Sequence, residues 1–422
     1  MTNAWRPAAF LAALASAATA APTIEYLPAG FLVTDLSYDG SVMVGNVQGD
    51  GSYETFRWTA ESGIERLGRA TVPAIGVGAG SPDVSYDGRR VSASILSMDN
   101  LMTQGVWDVE SGWTETMPPS PPTGIVSDQS YGSAWGLSGD GSTLTGFFWR
   151  STPGGNAHPN TWSPTTGIVP LESVPGVSAR ANAANYDGSV VVGWEDNLGP
   201  WQPTVWRNGV KTRLVQSLAR GEARAVNADG SIIVGAAYNP AFATTHATIW
   251  RLEGDEYTTT YIGALVGTVP NSGSAWLESI SDTGSIAVGF NQYTFSPGGS
   301  TDGVIWTPEN GLVKDVDFLA GLGLSVTPGA DIRSFTAVSP NGAVIAGALL
   351  LPDLYFQTFI IRLNPCPADL DGDGEVGFGD LNILLGNFNT VGAGLPGDLN
   401  GDGRVDFADL NALLGIYNTA CG

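Results

Sequence analysis

Short runs of apolar residues alternate with small polar residues and glycine along most of the chain. One phrase recurs: an apolar residue, Ser or Asn, any residue, Asp or Asn, Gly, and then an apolar run that often ends in glycine. Its first glycine stands at positions 40, 88, 141, 188, 230, 284 and 342, a mean spacing of about 50 residues, as expected for one supersecondary unit per repeat. Because Asp and Gly tolerate the positive φ of tight turns, each copy predicts a hairpin.

Two further markers add two strands to each copy. An aromatic residue stands at the centre of a strand-like run in every copy, at Trp58, Trp107, Trp162, Trp206, Trp250, Trp306 and Phe359. A fourth run follows a glycine in most copies, as at 63–67, 167–171, 209–214 and 311–316. Four strands in each of seven copies predict an all-β fold, a seven-bladed β-propeller with four-stranded blades over residues 22–363. A linear β-solenoid is the alternative, although its coils are usually shorter than these repeats.

The ends of the repeat region suggest how the ring closes. The seventh copy stops after the run that ends at Leu363 and has no fourth strand of its own. The segment Thr23–Leu27 resembles the missing strand. We therefore expect it to pair beside the Phe359 strand and to cover an edge that an open sheet would leave exposed.

The repeat phrase resembles the extracellular HAF-type repeat family, whose copies read roughly G-x-N-x-x-G-x-V-V-G followed by A-F-x-W. The resemblance covers about residues 30–363. Copy two departs from it by lacking the closing glycine, and copy seven by lacking the tryptophan. The resemblance implies a secreted repeat domain but no particular chemistry.

The N-terminus and the charge balance narrow the function classes. Arg6 precedes an apolar run that ends at Ala18-Thr19-Ala20, a pattern typical of a secretory signal peptide over residues 1–20. No later run reaches the ~18 apolar residues of a transmembrane helix. The chain has 18 Lys+Arg against 41 Asp+Glu, which disfavours a nucleic-acid partner because phosphate binding needs clustered basic residues. We expect a soluble, secreted protein, extracellular or periplasmic.

Candidate chemistry on the propeller is sparse. The repeated Asp residues and tryptophans are interpreted as turn and blade-packing residues. Trp194 and Trp201, with Glu195 and Asp196 between them, form the better candidate for glycan contact, since indole faces cover C–H groups and carboxylates accept hydroxyl hydrogens. Adjacent strand residues face opposite sides, so Glu195 and Asp196 make a doubtful glycosidase pair. We assign no catalytic residue.

The composition changes after Pro365. Two equivalent segments, which begin at Asp369 and Asp398, carry oxygen side chains at positions 1, 3 and 5, glycine at 6 and Asp at 12, the pattern of an EF-hand-type calcium loop. Position 7, which is Glu375 or Arg404, would contribute its backbone carbonyl rather than its side chain. The sequence therefore predicts two Ca²⁺ ions. The predicted ligand positions are Asp369, Asp371, Asp373, Glu375 and Asp380 in loop one, and Asp398, Asn400, Asp402, Arg404, Asp406 and Asp409 in loop two.

Asp at position 12, Val at position 8 and a Leu-rich helix after each loop resemble a type I dockerin over residues 366–422. The resemblance implies a small α-helical domain, here 364–422, that is folded by calcium and binds a cohesin-like or other extracellular protein. The family's partner-selecting positions 10 and 11, often Ser-Thr, are here Phe378-Gly379 and Phe407-Ala408, and Gly377 replaces the usual Asn or Asp at position 9. The alternative is a calcium clip that only caps the chain.

The two cysteines of the chain, Cys366 and Cys421, bracket this module. In an exported protein we expect them to form a disulfide.

Two functions remain open at this point. The first is a secreted, calcium-binding protein whose propeller is a non-catalytic binding or scaffolding domain, attached to a partner through the dockerin-like module. The alternative is a polysaccharide-degrading component of an extracellular complex, an O-glycosyl hydrolase. A polysaccharide ligand is compatible with both.

Overall fold

The structure is a computed structural model of the chain. The residues that it describes are 22–47, 54–69, 80–116, 131–149, 156–196, 201–215, 220–265, 273–293, 301–353, 355–363, 368–370, 375–392, 395–400 and 402–420. The predicted signal peptide lies outside them. No helix within these ranges is long and apolar enough to cross a membrane.

Most of the described residues form four-stranded antiparallel sheets, which we number as blades along the chain. Strand β1 (Thr23–Tyr26) comes first and belongs to the last blade. Blade 1 consists of β2 (Phe31–Leu36), β3 (Val42–Val47), β4 (Thr55–Thr59) and β5 (Gly63–Arg66). Blade 2 consists of β6 (Asp83–Val84), β7 (Arg90–Leu96), β8 (Met102–Asp108) and β9 (Gly112–Thr116). Blade 3 consists of β10 (Gly132–Leu137), β11 (Leu144–Trp149), β12 (Ala157–Ser163) and β13 (Gly167–Pro170).

The remaining blades follow the same order. Blade 4 consists of β14 (Ala179–Ala184), β15 (Val190–Asp196), β16 (Trp201–Arg207) and β17 (Val210–Arg213). Blade 5 consists of β18 (Glu222–Val226), β19 (Ile232–Asn239), β20 (Thr244–Glu253) and β21 (Glu256–Gly263). Blade 6 consists of β22 (Ser274–Ile280), β23 (Ala287–Gln292), β24 (Thr301–Thr307) and β25 (Gly311–Lys314), and a helix, α1 (Asp315–Gly321), follows it. Blade 7 consists of β26 (Asp331–Val338), β27 (Val344–Leu350), β28 (Phe356–Arg362) and β1.

The first strands of the blades contact one another around a closed ring, from β2 through β26 and back to β2. The seven sheets of four strands confirm the seven-bladed propeller that the repeats predict. Each repeated aromatic residue lies in the third strand of its blade, from Trp58 in β4 to Phe359 in β28. The helix α1 has no counterpart in the repeat pattern and was not predicted.

Ring closure also follows the sequence-based prediction. Strand β1 pairs antiparallel with β28, with Tyr26 opposite Phe359 and Thr23 opposite Arg362. The first and last repeats then share one apolar core, in which Leu27 and Val33 pack with Ile360. A strand from the start of the described chain therefore completes the blade at its end.

The repeated Asp and Gly residues have a local role. In blade 1, the Ser41 N–H donates to Asp39 Oδ1 at 2.8 Å and Gly40 has φ of 69°. The same bond to the amide two residues on forms at Asp87, Asp140, Asp187 and Asp229. Such bonds close the hairpin turn, so these carboxylates stabilise turns, as interpreted from the sequence.

The C-terminal module contains two short helices, α2 (Phe378–Gly386) and α3 (Phe407–Gly415), and two short strands, β29 (Glu375–Val376) and β30 (Thr419–Ala420). Val376 pairs with Thr419, and Val405 N–H donates to the Thr390 carbonyl at 3.2 Å. When loop one is aligned with loop two, Val376 corresponds to Val405 and Thr390 to Thr419, so the halves pair in the same way. Each half adds matching apolar residues to one core, Val376, Leu384, Val405 and Leu413.

Candidate functional site

The channel at the centre of the propeller is lined by the first strand of every blade. Six of these strands contain a β-bulge, where one extra residue leaves the pairing register. A bulge re-aims a side chain, and here it turns one residue of each blade toward the channel. Pro82 takes the corresponding position just before β6. The resulting ring is Thr34, Pro82, Trp135, Asn182, Arg224, Glu278 and Thr336.

These seven residues line a cavity of about 450 Å³. Aromatic walls come from Trp135 and Phe290, and charged groups come from Arg224 and Glu278 on neighbouring blades. The Arg224 guanidinium and the Glu278 carboxylate are 3.5 Å apart at their nearest atoms. Arg224 Nε and Glu278 Oε1 are buried atoms for which no hydrogen-bond partner is found among the described residues. The cavity thus combines apolar faces with a charged pair whose hydrogen bonding is incomplete.

A buried ion network continues from this pair. Arg180 and Glu222, on blades 4 and 5, form an ion pair with side chains 3% and 0% exposed. Asn182 donates to Glu222 Oε1 at 2.9 Å and accepts from Arg180 Nε at 2.6 Å. Arg224 approaches the second oxygen of Glu222 at 3.4 Å. Three adjacent blades are therefore joined by charges at the channel wall.

Burial and mutual attraction set the ionisation of this network. Burial is the main cause that lowers the pKa of Arg180, to about 10, against the attraction of Glu222. Burial alone would raise the pKa of Glu222, but the charges of Arg224 and Arg180 outweigh it and lower that pKa. Burial raises the pKa of Glu278, which Arg224 only partly offsets. Near neutral pH the Arg180–Glu222 pair is ionised on both sides.

Aromatic rings and arginines alternate next to the network. The Arg180 guanidinium carbon lies 3.5 Å from the centre of the Trp135 ring, within cation–π range. Trp194 and Trp201 stack with ring centres 4.7 Å apart. Arg220 then lies 4.4 Å from the Trp201 ring centre. Both faces of Trp201 thus have neighbours, and Trp194 is only 3% exposed.

This arrangement bears on the sequence-predicted glycan residues. Trp194 and Trp201 lie in paired strands, β15 and β16, rather than in a free loop. Glu195 is fully buried and accepts from Lys211 Nζ at 2.8 Å, so it holds strands together. Asp196 instead pairs through its backbone, because its amide donates to the Ser178 carbonyl at 2.8 Å. Glycan contact by Trp194 and Trp201 stays a prediction, with little free indole face to support it.

A carboxyl pair lies across the channel from the charged pair. Asp35 and Asp83, on blades 1 and 2, line the same cavity and hydrogen-bond to each other. Asp35 Oδ2 also accepts from Val84 N–H at 2.9 Å, and Asp83 Oδ2 accepts from Leu137 N–H at 3.1 Å. Burial raises the pKa of both carboxyls, and the charge of Asp35 raises that of Asp83 further. The two groups therefore share a proton at pH values where an exposed pair would be ionised.

Asp83→Asn is expected to remove a pH dependence of stability. The folded pair keeps a proton that the unfolded chain releases near about pH 4, so the free energy of unfolding falls as pH rises above that value. The amide can donate permanently to Asp35 while its oxygen accepts from Leu137. Relative to wild type, the free energy of unfolding of the variant should rise by up to about 1.4 kcal/mol for each pH unit over which the wild-type pair retains its proton.

Urea unfolding at half-unit steps from pH 4 to pH 7 measures this difference. Asp255→Asn makes the same substitution at an exposed position and serves as the control. Its free energy of unfolding should follow the wild-type pH dependence. Parallel pH curves for wild type and Asp83→Asn would contradict the shared proton.

One end of the channel is closed. Neighbouring repeat turns hydrogen-bond through their backbones, as in Tyr38 N–H to the Tyr86 carbonyl at 3.0 Å and Asn341 N–H to the Tyr38 carbonyl at 3.1 Å. The Tyr86 hydroxyl reaches from blade 2 to Asp282 Oδ1 in blade 6 at 2.8 Å. Tyr186 packs against the Tyr86 ring with centres 5.4 Å apart. We call this the turn end, and the opposite end, where the first strands begin, the loop end.

The C-terminal module lies against the turn end. A second cavity, of about 320 Å³, is lined by Tyr38, Asp282 and Pro340 of the propeller and by Asp369 and Asp398 of the module. A Cβ placed on Gly403 would be 2.1 Å from the Tyr186 hydroxyl, so only glycine fits there. The second calcium-type loop thus contacts the propeller through its position 6.

The two loops place their equivalent positions alike. Asp380 and Asp409, at position 12, are fully buried, and Asp369 and Asp398, at position 1, are nearly so. The Leu399 amide donates to Asp409 Oδ1 at 2.8 Å, and the matching Leu370 amide donates to Asp380 Oδ1 at 2.6 Å. Each carboxylate thereby ties the end of its loop to the start.

Other predicted ligands are more open or undescribed. Glu375, Asp402 and Arg404 are exposed, and Asp406 caps α3 by accepting from Ala408 N–H at 2.7 Å. Asn400 Oδ1 accepts from the Asp402 amide at 2.9 Å. Asp371, Asp373, Cys366 and Cys421 lie outside the described residues. Across the part of the chain that is described, no group of three or more His, Cys, Asp or Glu is arranged to hold a metal ion.

The predicted partner-binding positions are on the surface. Phe378 and Phe407, at position 10 of each loop, are both 69% exposed. Leu385 and Leu414, one per helix, are each 48% exposed. Gly379 and Ala408 follow the two phenylalanines in the first turns of α2 and α3. Each half of the module therefore exposes the same two apolar side chains, one Phe and one Leu.

No protein-family model and no curated protein matches the sequence. Solved structures do resemble the fold. An oligogalacturonate lyase from Vibrio parahaemolyticus superposes with a TM-score of 0.51 at 12% identity, over 82% of this chain and 98% of that one. TolB from Acinetobacter baumannii gives 0.41 at 11% identity, over 78% of this chain and 66% of that one. A prolyl endopeptidase gives 0.49 at 13% identity, over 78% of this chain and 46% of that one. This chain therefore spans just under two thirds of the TolB chain and less than half of the endopeptidase, and such identities show the fold alone.

Proposed function

We propose that this chain is a secreted, calcium-binding protein with a non-catalytic binding propeller, attached to an extracellular partner through its dockerin-like module. The observation that carries the proposal is the pair of equivalent loops, each with a fully buried Asp at position 12. Each of these carboxylates accepts backbone N–H groups from separate parts of its loop and so draws the loop closed, as ligation by position 12 requires. Two such loops in register fit a calcium module better than a general acidic surface.

The oxygen ligands suit a hard cation such as Ca²⁺, which takes six to eight oxygens. Loop one would hold the ion with Asp369, Asp371, Asp373, Asp380 and the Glu375 carbonyl. Loop two would use Asp398, Asn400, Asp402, Asp409 and the Arg404 carbonyl, with Asp406 at position 9. Loop closure by Asp380 and Asp409 already brings the two ends of each loop together. Bound calcium would then stabilise the module by mass action, since the unfolded loops bind little.

Attachment to a cohesin-type partner is supported by the exposed phenylalanines at the family's partner-selecting positions. Each phenylalanine exposes a large apolar surface at an equivalent position of its loop, and aromatic side chains are enriched in protein–protein interfaces. Phe378 and Phe407 remain exposed although loop two contacts the turn end of the propeller, so the proposed partner would bind at these side chains.

Glycoside hydrolysis is the weaker alternative. Such enzymes place two carboxyl groups roughly 5–9 Å apart around the scissile bond. The Asp35 and Asp83 carboxyls hydrogen-bond directly to each other, which is closer than that arrangement. A pair held this way links blades 1 and 2, and we favour a binding role for the channel.

Calcium titration calorimetry on the full chain tests the proposal. We expect two bound ions in the wild type. Asp380→Asn and Asp409→Asn should each weaken one site at least tenfold and leave the other intact, because each loop loses its closing carboxylate. Asp255→Asn is the matched control. No calcium uptake, or uptake that neither variant changes, would refute the calcium site.

A purified type I cohesin module is the probe for attachment. Binding should require calcium and should weaken at least tenfold in the double variant Phe378→Ala/Phe407→Ala. Calcium binding by the chain without cohesin binding would contradict the attachment role and favour the calcium clip.

A further inference from the structure

The channel cavity carries a more specific inference than the general binding role. Its ligand must match aromatic rings and a charged pair whose hydrogen bonding is incomplete, all within the same small volume. We infer that the central channel binds the end of a neutral saccharide chain, with a sugar ring against Trp135 and hydroxyl groups on Arg224 and Glu278. The inference rests on the proposed binding role of the propeller and names its ligand class.

The aromatic side of the site is provided by two blades. Trp135 is directed into the channel by its bulge, and one face already carries the Arg180 guanidinium at 3.5 Å. Its ring still lines the cavity together with Phe290. The ring of Trp276 lies parallel to that of Phe290, with centres 6.5 Å apart. Rigid aromatic faces of this kind cover the C–H groups of a sugar ring.

The polar side is incompletely hydrogen-bonded inside the protein. The contact between Arg224 and Glu278 is long, at 3.5 Å, and the buried Arg224 Nε and Glu278 Oε1 have no partner in the described ranges. The two side chains keep 24% and 23% of their surface exposed, so part of each charged group is open to the cavity that it lines. Asn182, by contrast, has its amide fully used by Arg180, Glu222 and the Ala223 carbonyl. A hydroxyl group accepts from a guanidinium and donates to a carboxylate at once. Vicinal hydroxyls therefore suit this pair better than a purely acidic or purely basic ligand.

Charge selects a neutral ligand. The cavity places Asp35, Asp83 and Glu278 around one accessible cation, Arg224. Asp35 and Asp83 share a proton, so carboxylates still equal or exceed the positive charge. An anionic sugar would lose its hydration and find no excess of positive charge to compensate it.

Shape selects a chain end. Tyr86 crosses the channel to Asp282 at the turn end, and the C-terminal module covers that side. The turn end is therefore not an entrance, so a saccharide cannot thread through the ring. A volume of about 450 Å³ is within the range of small-ligand sites. One protein should therefore bind per accessible chain end, whatever the chain length.

Calorimetry on the full chain with cellohexaose, xylohexaose, mannohexaose, maltohexaose and chitohexaose tests this, with oligogalacturonate and trialanine as comparison ligands. At least one neutral saccharide should bind, with the same molar stoichiometry for its four-unit and six-unit forms. Trp135→Ala and Glu278→Gln should each weaken binding at least tenfold. Asp255→Asn, at an exposed position outside the cavity lining, is the control and should stay within twofold, and thermal unfolding checks that each variant is folded.

The outcomes separate the ligand class from the binding role. If only trialanine or oligogalacturonate binds, and Trp135→Ala abolishes that binding, the neutral saccharide is the wrong ligand class, but the channel remains a binding site. Saccharide binding that survives both Trp135→Ala and Glu278→Gln would overturn the site. If no probe binds, the saccharide inference fails, whereas two calcium ions on the same sample would leave the role of the module standing.

Discussion

Arg180→Met is expected to lower the free energy of unfolding by roughly 3–5 kcal/mol, the typical cost of removing one partner from a buried ion pair. The side chains of Arg180 and Glu222 are almost fully enclosed. Methionine fills much of the space but cannot compensate the carboxylate, and it also removes the cation from the Trp135 ring. Arg224 and Asn182 would remain near Glu222, so the loss should fall within this range rather than beyond it.

Urea unfolding followed by tryptophan fluorescence measures the loss as a lower midpoint at unchanged slope. Arg333→Met is the matched control, because Arg333 pairs with Asp331, whose side chain is 58% exposed. Surface pairs contribute about 0–1 kcal/mol. Adding Glu222→Gln to Arg180→Met should recover part of the stability, since the uncompensated charge is then gone. Equal losses for Arg180→Met and Arg333→Met would show that the channel network is not a stabilising unit.

The repeat pattern predicted the blades because each strand depends on local information. Asp-Gly turns, alternating apolar runs and one aromatic residue per copy specify a four-stranded sheet without reference to its neighbours. Even the closing strand could be predicted, since a copy with three strands needs a fourth from elsewhere. The helix α1 could not, because it lies in the connection between blades 6 and 7, where the copies share no pattern.

The channel site was missed for a different reason. Its seven ring residues differ in every copy, from Thr34 to Trp135 to Glu278, so they do not appear as a repeat. They do share one position, three residues before the Ser or Asn of the recurring phrase. That position becomes meaningful only when a bulge is known to turn it inward. The sequence directed attention instead to Trp194 and Trp201, whose rings pack against each other and Arg220.

In the C-terminal module, the local loop pattern is visible in the sequence, whereas the contact between the module and the propeller is not. Ligand spacing along the chain predicts two calcium loops, which stay a prediction, and the structure shows Asp380 and Asp409 as the most buried of the described acids in these segments. The contact between loop two and Tyr186 was not predictable, because it joins distant parts of the chain through Gly403. Glycine at position 6 of the loop thus has two reasons to be there, the sharp turn and the close approach of the propeller.

Loss of the closing strand β1 should have the widest effect on the fold. Without residues 22–27, β28 would become an exposed edge, and Leu27 and Ile24 would leave the cores that blade 7 shares with its neighbours. Leu27→Ala alone is expected to cost about 2–5 kcal/mol. The deletion should cost more, and it should also promote association through the freed edge, seen as dimers or larger species in light scattering after size exclusion.

Two proline substitutions separate strand pairing from side-chain packing. Leu27 N–H donates to the Thr358 carbonyl at 3.1 Å, and antiparallel pairing alternates, so the Glu25 N–H also points to β28 while the Tyr26 N–H points away. Glu25→Pro should therefore lower the free energy of unfolding by about 1–3 kcal/mol, the cost of a buried acceptor left unpaired, and Tyr26→Pro should cost clearly less. Glu25→Ala corrects for the lost ion pair with Arg362 at 3.1 Å. If both prolines were equally harmless, β1 would not be the strand that holds the ring closed.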